Sequence, residues 1–171
     1  MAVFHENRIY SEIGNYSSTR IRKEQDLLNQ YYSPSFVSTK IKGCWGNEEL
    51  ICNLKFSIVG VNCNVKIVYD GLTPPKSWLI EPFFKNPQHI YKTEGNLCLY
   101  DPEKNEWTRS SHIYNTFVPW SMEWVIFQMI YEETGEWQHP ERHPDSPMTN
   151  AEIKEFCFKN GLSFDRIKPF I

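Results

Sequence analysis

The sequence predicts an α+β domain: a first helix, a four-stranded antiparallel meander, a long loop carrying a cysteine, then further helix. Three observations predict it. Between residues 36 and 69, apolar and polar side chains alternate in short runs separated by turn signals, the period of half-buried strands. Ser17-Ser18-Thr19 precedes a stretch with apolar residues at helical spacing. Trp120, Trp124, Phe127 and Tyr131 recur at that spacing near the other end of the chain.

Residues 1–16 show no clear period and are expected to pack loosely. The first helix is expected from Ser17 onward under its hydroxyl caps, with Ile21, Leu28 and either Tyr31 or Tyr32 on the face turned to a sheet. Arg20, Arg22 and Lys23 are expected on a solvated charged face, docking of an acidic partner being the other reading. Past Ser33-Pro34, residues 36–42 read as a first strand, ended by Gly43 and the Gly46-Asn47 turn signal. Residues 50–59 form a second, with Cys52, Leu54, Phe56 and Ile58 on one face, and Gly60 and Asn62 mark a hairpin turn. Residues 63–69 repeat the alternation with Cys63, Val65, Ile67 and Tyr69. Cys52 and Cys63 are then small core residues. Asp70 to Pro75 is a turn into a fourth strand, 76–81, and the short connections describe a meander.

The second helix is expected near Pro119, a favoured first-turn residue, and is stopped by Gly135. Its aromatic stripe, with Ile126 and Ile130, reads as core. Trp137, His139, Pro140, His143, Pro144 and Pro147 form an irregular segment. Asn150 caps a last short helix, 151–159, closed by Gly161 and burying Cys157.

Bulk properties exclude several classes. The length of 171 residues, with 40% hydrophobic and 23% charged residues, describes one ordinary globular domain over 1–171. Eighteen Lys and Arg against 21 Asp and Glu leave a net charge of -3, so no basic footprint points to direct nucleic-acid binding. No apolar run approaches membrane-spanning length and no basic-then-apolar leader opens the chain. Five cysteines with no Cys-x-x-Cys pair argue against a disulfide framework or zinc site, and the expected compartment is a reducing cytoplasm. Pro140 breaks the His139–His143 pair as a helical metal face, and no phosphate-binding glycine loop or nucleophile elbow is present. No metal and no cofactor is expected.

What remains is Cys98. It lies in a stretch from Gln88 to Trp107 too broken by Gly, Pro, Asp and Asn for regular structure, with Leu97 and Leu99 gripping it on either side. From composition alone it is a buried loop cysteine. A working thiol needs access and a nearby base or a lowered pKa, and His89 is the nearest candidate in sequence.

Pro74-Pro75, His89, Gly95-Asn-Leu-Cys98-Leu99 and Trp107 occur in that order behind a meander and before a helix. In this the chain resembles the ubiquitin-conjugating (UBC-like) enzymes over roughly residues 17–145, with 146–171 as a helical tail. The segment from Thr134 to His143 is similar to stand-alone bacterial members found in CBASS antiphage operons. The resemblance implies that Cys98 is the nucleophile carrying a protein C-terminus as a thioester. It implies a cGAS-like nucleotidyltransferase as the carried partner. Ile90 and Tyr91 stand where the family has Pro and Asn, so the family's oxyanion-supporting Asn is missing. Tyr91 offers a hydroxyl donor in its place, and His89 shapes the loop or assists proton transfer. His112, and Glu136 or His139, are further candidates for receiving the acceptor amine, and Trp107 a packing residue. The rival readings are a non-catalytic UBC-like scaffold that binds a partner, favoured by the missing Asn, and a Cys-His hydrolase.

Overall fold

The computed structural model describes residues 2–137, with side chains from residue 13 onward. The last expected helix, its Asn150 cap, Cys157, His139 and His143 lie outside the described residues.

The chain begins with α1, Ala2–Tyr31. It starts well before the expected Ser17, because residues without an apolar period still continue a helix once one is running. Ser17 and Ser18 are therefore mid-helix, buried, and bonded outward: Ser17 Oγ donates to the Asp70 carbonyl and Ser18 Oγ to Glu48. Ile21 and Leu28 are fully buried as expected. Tyr32 rather than Tyr31 turns toward the core, its hydroxyl donating to the Tyr114 carbonyl at 2.6 Å, while exposed Tyr31 stacks on the Tyr114 ring.

Arg20 departs from the expected solvated face. It is buried, pairs with Glu24 at 2.8 Å and donates to the carbonyls of Arg109 and Ser111. Glu24 is itself fully buried. One of its oxygens meets Arg20 and His112 Nδ1, both at 2.8 Å, and the other accepts the Ile113 amide at 2.9 Å. This network fastens α1 to the segment before the second helix. A buried charge needs such partners, since burial without them costs several kcal/mol, on the order of the whole margin of stability.

The strands β1 (Val37–Lys42), β2 (Glu49–Ile58), β3 (Val61–Tyr69) and β4 (Lys76–Glu81) form an antiparallel sheet in the order β1-β2-β3-β4. The alternation is seen directly: Cys52, Leu54, Phe56, Ile58, Cys63, Val65, Ile67 and Tyr69 are buried. The β2–β3 turn is Val59-Gly60, both in the left-handed region at φ 51 and 82, the pattern of a two-residue hairpin loop. Asn62, expected in that turn, instead pairs with Ser57 inside the ladder. Burial pushes the Cys63 thiol up to about 11. Burial, reinforced by the charge of Glu24, pushes that of Cys52 higher still. Both are inert core residues at neutral pH.

The second helix, α2 (Phe117–Thr134), starts two residues before Pro119 and ends at Gly135, whose φ of 73 and N–H bond to the Tyr131 carbonyl at 2.8 Å make the expected stop. Trp120, Trp124, Ile126, Phe127 and Ile130 are buried, so the stripe is core up to Tyr131, which is only half-buried. Trp107 packs edge-on against Tyr69 and Phe117, joining β3 to the start of α2.

Two substitutions test this framework. Gly71 has φ 80, and an added Cβ would meet the Ser17 carbonyl oxygen at 2.7 Å. Gly71→Ala is expected to cost at least about 1–2 kcal/mol from the left-handed backbone alone, read as a fall in Tm of several degrees. Glu24→Ala leaves Arg20 buried without its counter-charge and is expected to cost about 3–5 kcal/mol in a denaturant titration. A loss under 1 kcal/mol there would show that Arg20 is satisfied by its carbonyl partners alone.

Candidate active site

The loop around Cys98 is irregular in outline but closely bonded. Its residues fold into a short excursion closed by a single bridge between Ile90 and Leu97. The Tyr91 amide donates to the Asn96 carbonyl at 2.9 Å, and the Gly95 amide to the Tyr91 carbonyl at 2.7 Å. Gly95 supplies the turn with φ 71. Leu97 and Leu99 are buried on either side of a half-buried Cys98. The alternation of these three residues presents the thiol on the face opposite the core.

Two backbone bonds fix the cysteine in space. The Leu97 amide donates to the Ser77 carbonyl at 2.8 Å, tying the loop to β4. The Cys98 amide donates to the His89 carbonyl, also at 2.8 Å. That carbonyl takes a second donor, Trp124 Nε1 of α2, at 3.2 Å. His89 holds a left-handed backbone, φ 48, which is costly for a residue with a Cβ and persists where surroundings enforce it. Its ring stacks on Trp137 at 4.7 Å. The structure therefore brings His89 and Cys98 together through the main chain.

Tyr91 and Cys98 are coupled across the loop, the charge of Cys98 bearing on the Tyr91 phenol. Partial burial first, and then Cys98 and the neighbouring Tyr100 and Asp101, raise the Tyr91 pKa to about 12. At neutral pH the hydroxyl keeps its proton and is available as a donor. Tyr100, on the other side of the cysteine, is also shifted up, by burial and then by the charge of Cys98. Tyr91 and Tyr100 line a cavity of about 330 Å³ with Pro74, Pro75, Asn96 and Phe117. That volume is at the lower end of the range for ligand pockets.

The remaining sequence-predicted residues divide. His112 is committed to Glu24 on the α1 side of the fold. Glu136 is exposed just past α2, its amide bonded to Thr134 Oγ1. His139 lies outside the described residues. Trp107 props the loop's far end by ring contacts, as expected. Sequence reasoning missed Ser121 and Gln128, polar residues on a helix whose apolar stripe alone reads as core. The available signal was an uncharged polar side chain four residues after Trp124, on the same face. Among the described residues, no group of three His, Cys, Asp or Glu side chains is placed to hold a metal ion, and no helix is long and apolar enough to cross a membrane.

A half-buried thiol near a protonated phenol, on a loop pinned at the backbone, can receive an acyl group if one is delivered in activated form. Comparison with known proteins bears on which chemistry this is. A family model described as "Type II CBASS E2 protein" matches residues 25–144, from the second half of α1 through the sheet and the Cys98 loop to beyond α2. No curated protein matches the sequence. With the family model covering most of its length, the chain belongs to the type II CBASS E2 proteins and, with them, to CBASS antiphage defence.

Proposed function

We propose that this protein is a ubiquitin-conjugating-like transferase whose Cys98 carries the C-terminus of a partner protein as a thioester. The order of elements supports a UBC-like fold: helix, four-stranded meander, cysteine loop, helix. The observation that carries the chemistry is the Cys98 thiol itself. It is half-buried, on a loop whose backbone is pinned to β4 and to His89, whereas Cys52 and Cys63 are sealed in the core.

In this reading the Cys98 sulfur, as thiolate, attacks the carbonyl carbon of an activated C-terminus. The leaving group departs with its electron pair and the thioester remains. An amine or thiol of the acceptor then attacks the same carbon, loses its proton to a base, and regenerates the Cys98 thiol. Each step passes through an oxyanion, and a fixed donor aimed at it accelerates the step. Tyr91 is the donor we assign. It occupies the stretch where the family's Asn would stand, and its raised pKa keeps it protonated throughout the working pH range. His89 acts through its carbonyl, which sets the Cys98 backbone. The carried partner is a cGAS-like nucleotidyltransferase, and the setting is cytoplasmic.

A second reading is a scaffold that binds the partner without chemistry. The observation favouring it is Ile90-Tyr91: Ile90 is engaged in the bridge to Leu97, and no Asn carboxamide stands in that position.

Incubation with the activated partner is expected to give an adduct that thiol reductant removes. Cys98→Ser is expected to give an adduct that reductant leaves intact, because an oxyester replaces the thioester, and Cys98→Ala none. Full acyl transfer by Cys98→Ala would sink the mechanism. Wild-type defence and partner binding by Cys98→Ala would establish the scaffold. Tyr91→Phe is expected to slow adduct formation about 100-fold, the scale of one lost oxyanion donor. Its rate relative to wild type should stay constant with pH until the phenol titrates near 12.

A further inference from the structure

α2 is apolar along most of its buried surface, yet Ser121 and Gln128 are fully buried within it. Buried polar groups persist where they are satisfied, and the partners that satisfy these two lie on one path. Ser121, Trp124 and Gln128 fall at i, i+3 and i+7, a single face of the helix. Ser121 Oγ donates to Ser77 Oγ at 3.2 Å, and the carbonyl of Ser77 holds the Leu97 amide. Trp124 Nε1 donates to the His89 carbonyl, which holds the Cys98 amide. Gln128 Oε1 accepts the Gln88 amide at 2.8 Å, and its Nε2 donates to the Asn86 carbonyl at 3.2 Å.

Gln128 Nε2 also donates to Glu132 Oε1 at 2.9 Å, one turn on. Both amide hydrogens and the oxygen are thus used, and only one orientation of the carboxamide fits. Turned over, it would face Gln88 N–H with its own N–H groups and two acceptors with its oxygen. The chain just before His89 is therefore held in one place, and the left-handed His89 follows directly from it.

We infer that the Ser121–Trp124–Gln128 stripe positions the Cys98 nucleophile, with Gln128 as the positioning residue that sets the entry to the loop. The inference rests on the thioester reading above. An all-apolar helix would cover the sheet as well; the polar stripe adds direction to the loop backbone. What it holds in place is the backbone on either side of the thiol, with Tyr91 on the same short loop.

The test uses the full chain and a fluorescent peptide α-thioester as acyl donor. Gln128→Met keeps the side chain's length and leaves the Gln88 amide without its acceptor. The maximal rate of adduct formation at Cys98 is expected to fall about 100-fold, the scale of an ångström's misplacement, with the half-saturating donor concentration unchanged. Gln128→Glu sets a carboxylate against the Asn86 carbonyl and Glu132, and protonation restores a donor. Its rate relative to wild type is therefore expected to rise as pH falls. A second readout needs no acyl transfer: alkylation of Cys98 by iodoacetamide, followed on its own peptide. Adding Tyr91→Phe should change the rate in the wild type and leave it unchanged in Gln128→Met, because the two effects share one geometry.

A folded Gln128→Met protein with wild-type adduct rate and an undiminished Tyr91→Phe effect overturns the inference. If Gln128→Met does not fold, a flat pH ratio for Gln128→Glu does so. If the wild type accepts no acyl group, the thioester reading fails on its own, and the alkylation coupling still decides whether Gln128 positions the thiol.

Discussion

The carbonyl of His89 is the point on which the site depends. It receives the Cys98 amide from one side and the Trp124 indole from the other, so sheet-side loop and helix meet at one oxygen. His89 makes both bonds from a left-handed backbone, φ 48, with its carbonyl where the two donors converge. The strain is held by what surrounds it. Gln128 fixes the residues before His89, the Ile90–Leu97 bridge fixes those after it, and Trp137 covers its ring. A thiol on a loop is ordinarily free to wander. This one is fixed through its own amide.

A second set of interactions keeps the platform still. Glu24 and Arg20, both buried, join α1 to the backbone between Arg109 and Ile113, just before α2 begins. Trp107 and Phe117 fill the space between that segment and β3. The helix that grips the cysteine loop is in this way referenced to α1 as well as to the sheet. Polar contacts set directions and aromatic contacts fill volume, a division that suits a loop held in one place on a small frame.

Much of the fold was legible because alternation is a local signal. β4 matches its expected span of 76–81, and β2 and β3 differ from expectation by one or two residues at their ends. Gly135 ends α2 as its left-handed conformation requires. The misses are non-local. Arg20 reads as a solvated charge because the carbonyls that allow its burial, those of Arg109 and Ser111, lie far along the chain. The early start of α1 was hidden because residues before Ser17 have no apolar period. In the loop, Cys98 and His89 stand out by order and spacing, and Tyr91 only through the family resemblance. How they are arranged was not legible: His89 meets Cys98 through a carbonyl, and Tyr91 is placed by a turn that Gly95 closes. Gln128 escaped because a polar residue inside an apolar stripe carries meaning only once its backbone partners are known.

The central claim is that Cys98 alone carries the acyl group, although Cys44 is more exposed. Mass spectrometry of the wild-type chain after incubation with the activated partner tests it most directly. The account predicts one adduct, equal to the partner's mass less the leaving group, on the peptide containing Cys98 and released by thiol. An adduct on Cys44, or a distribution over several cysteines, would contradict it.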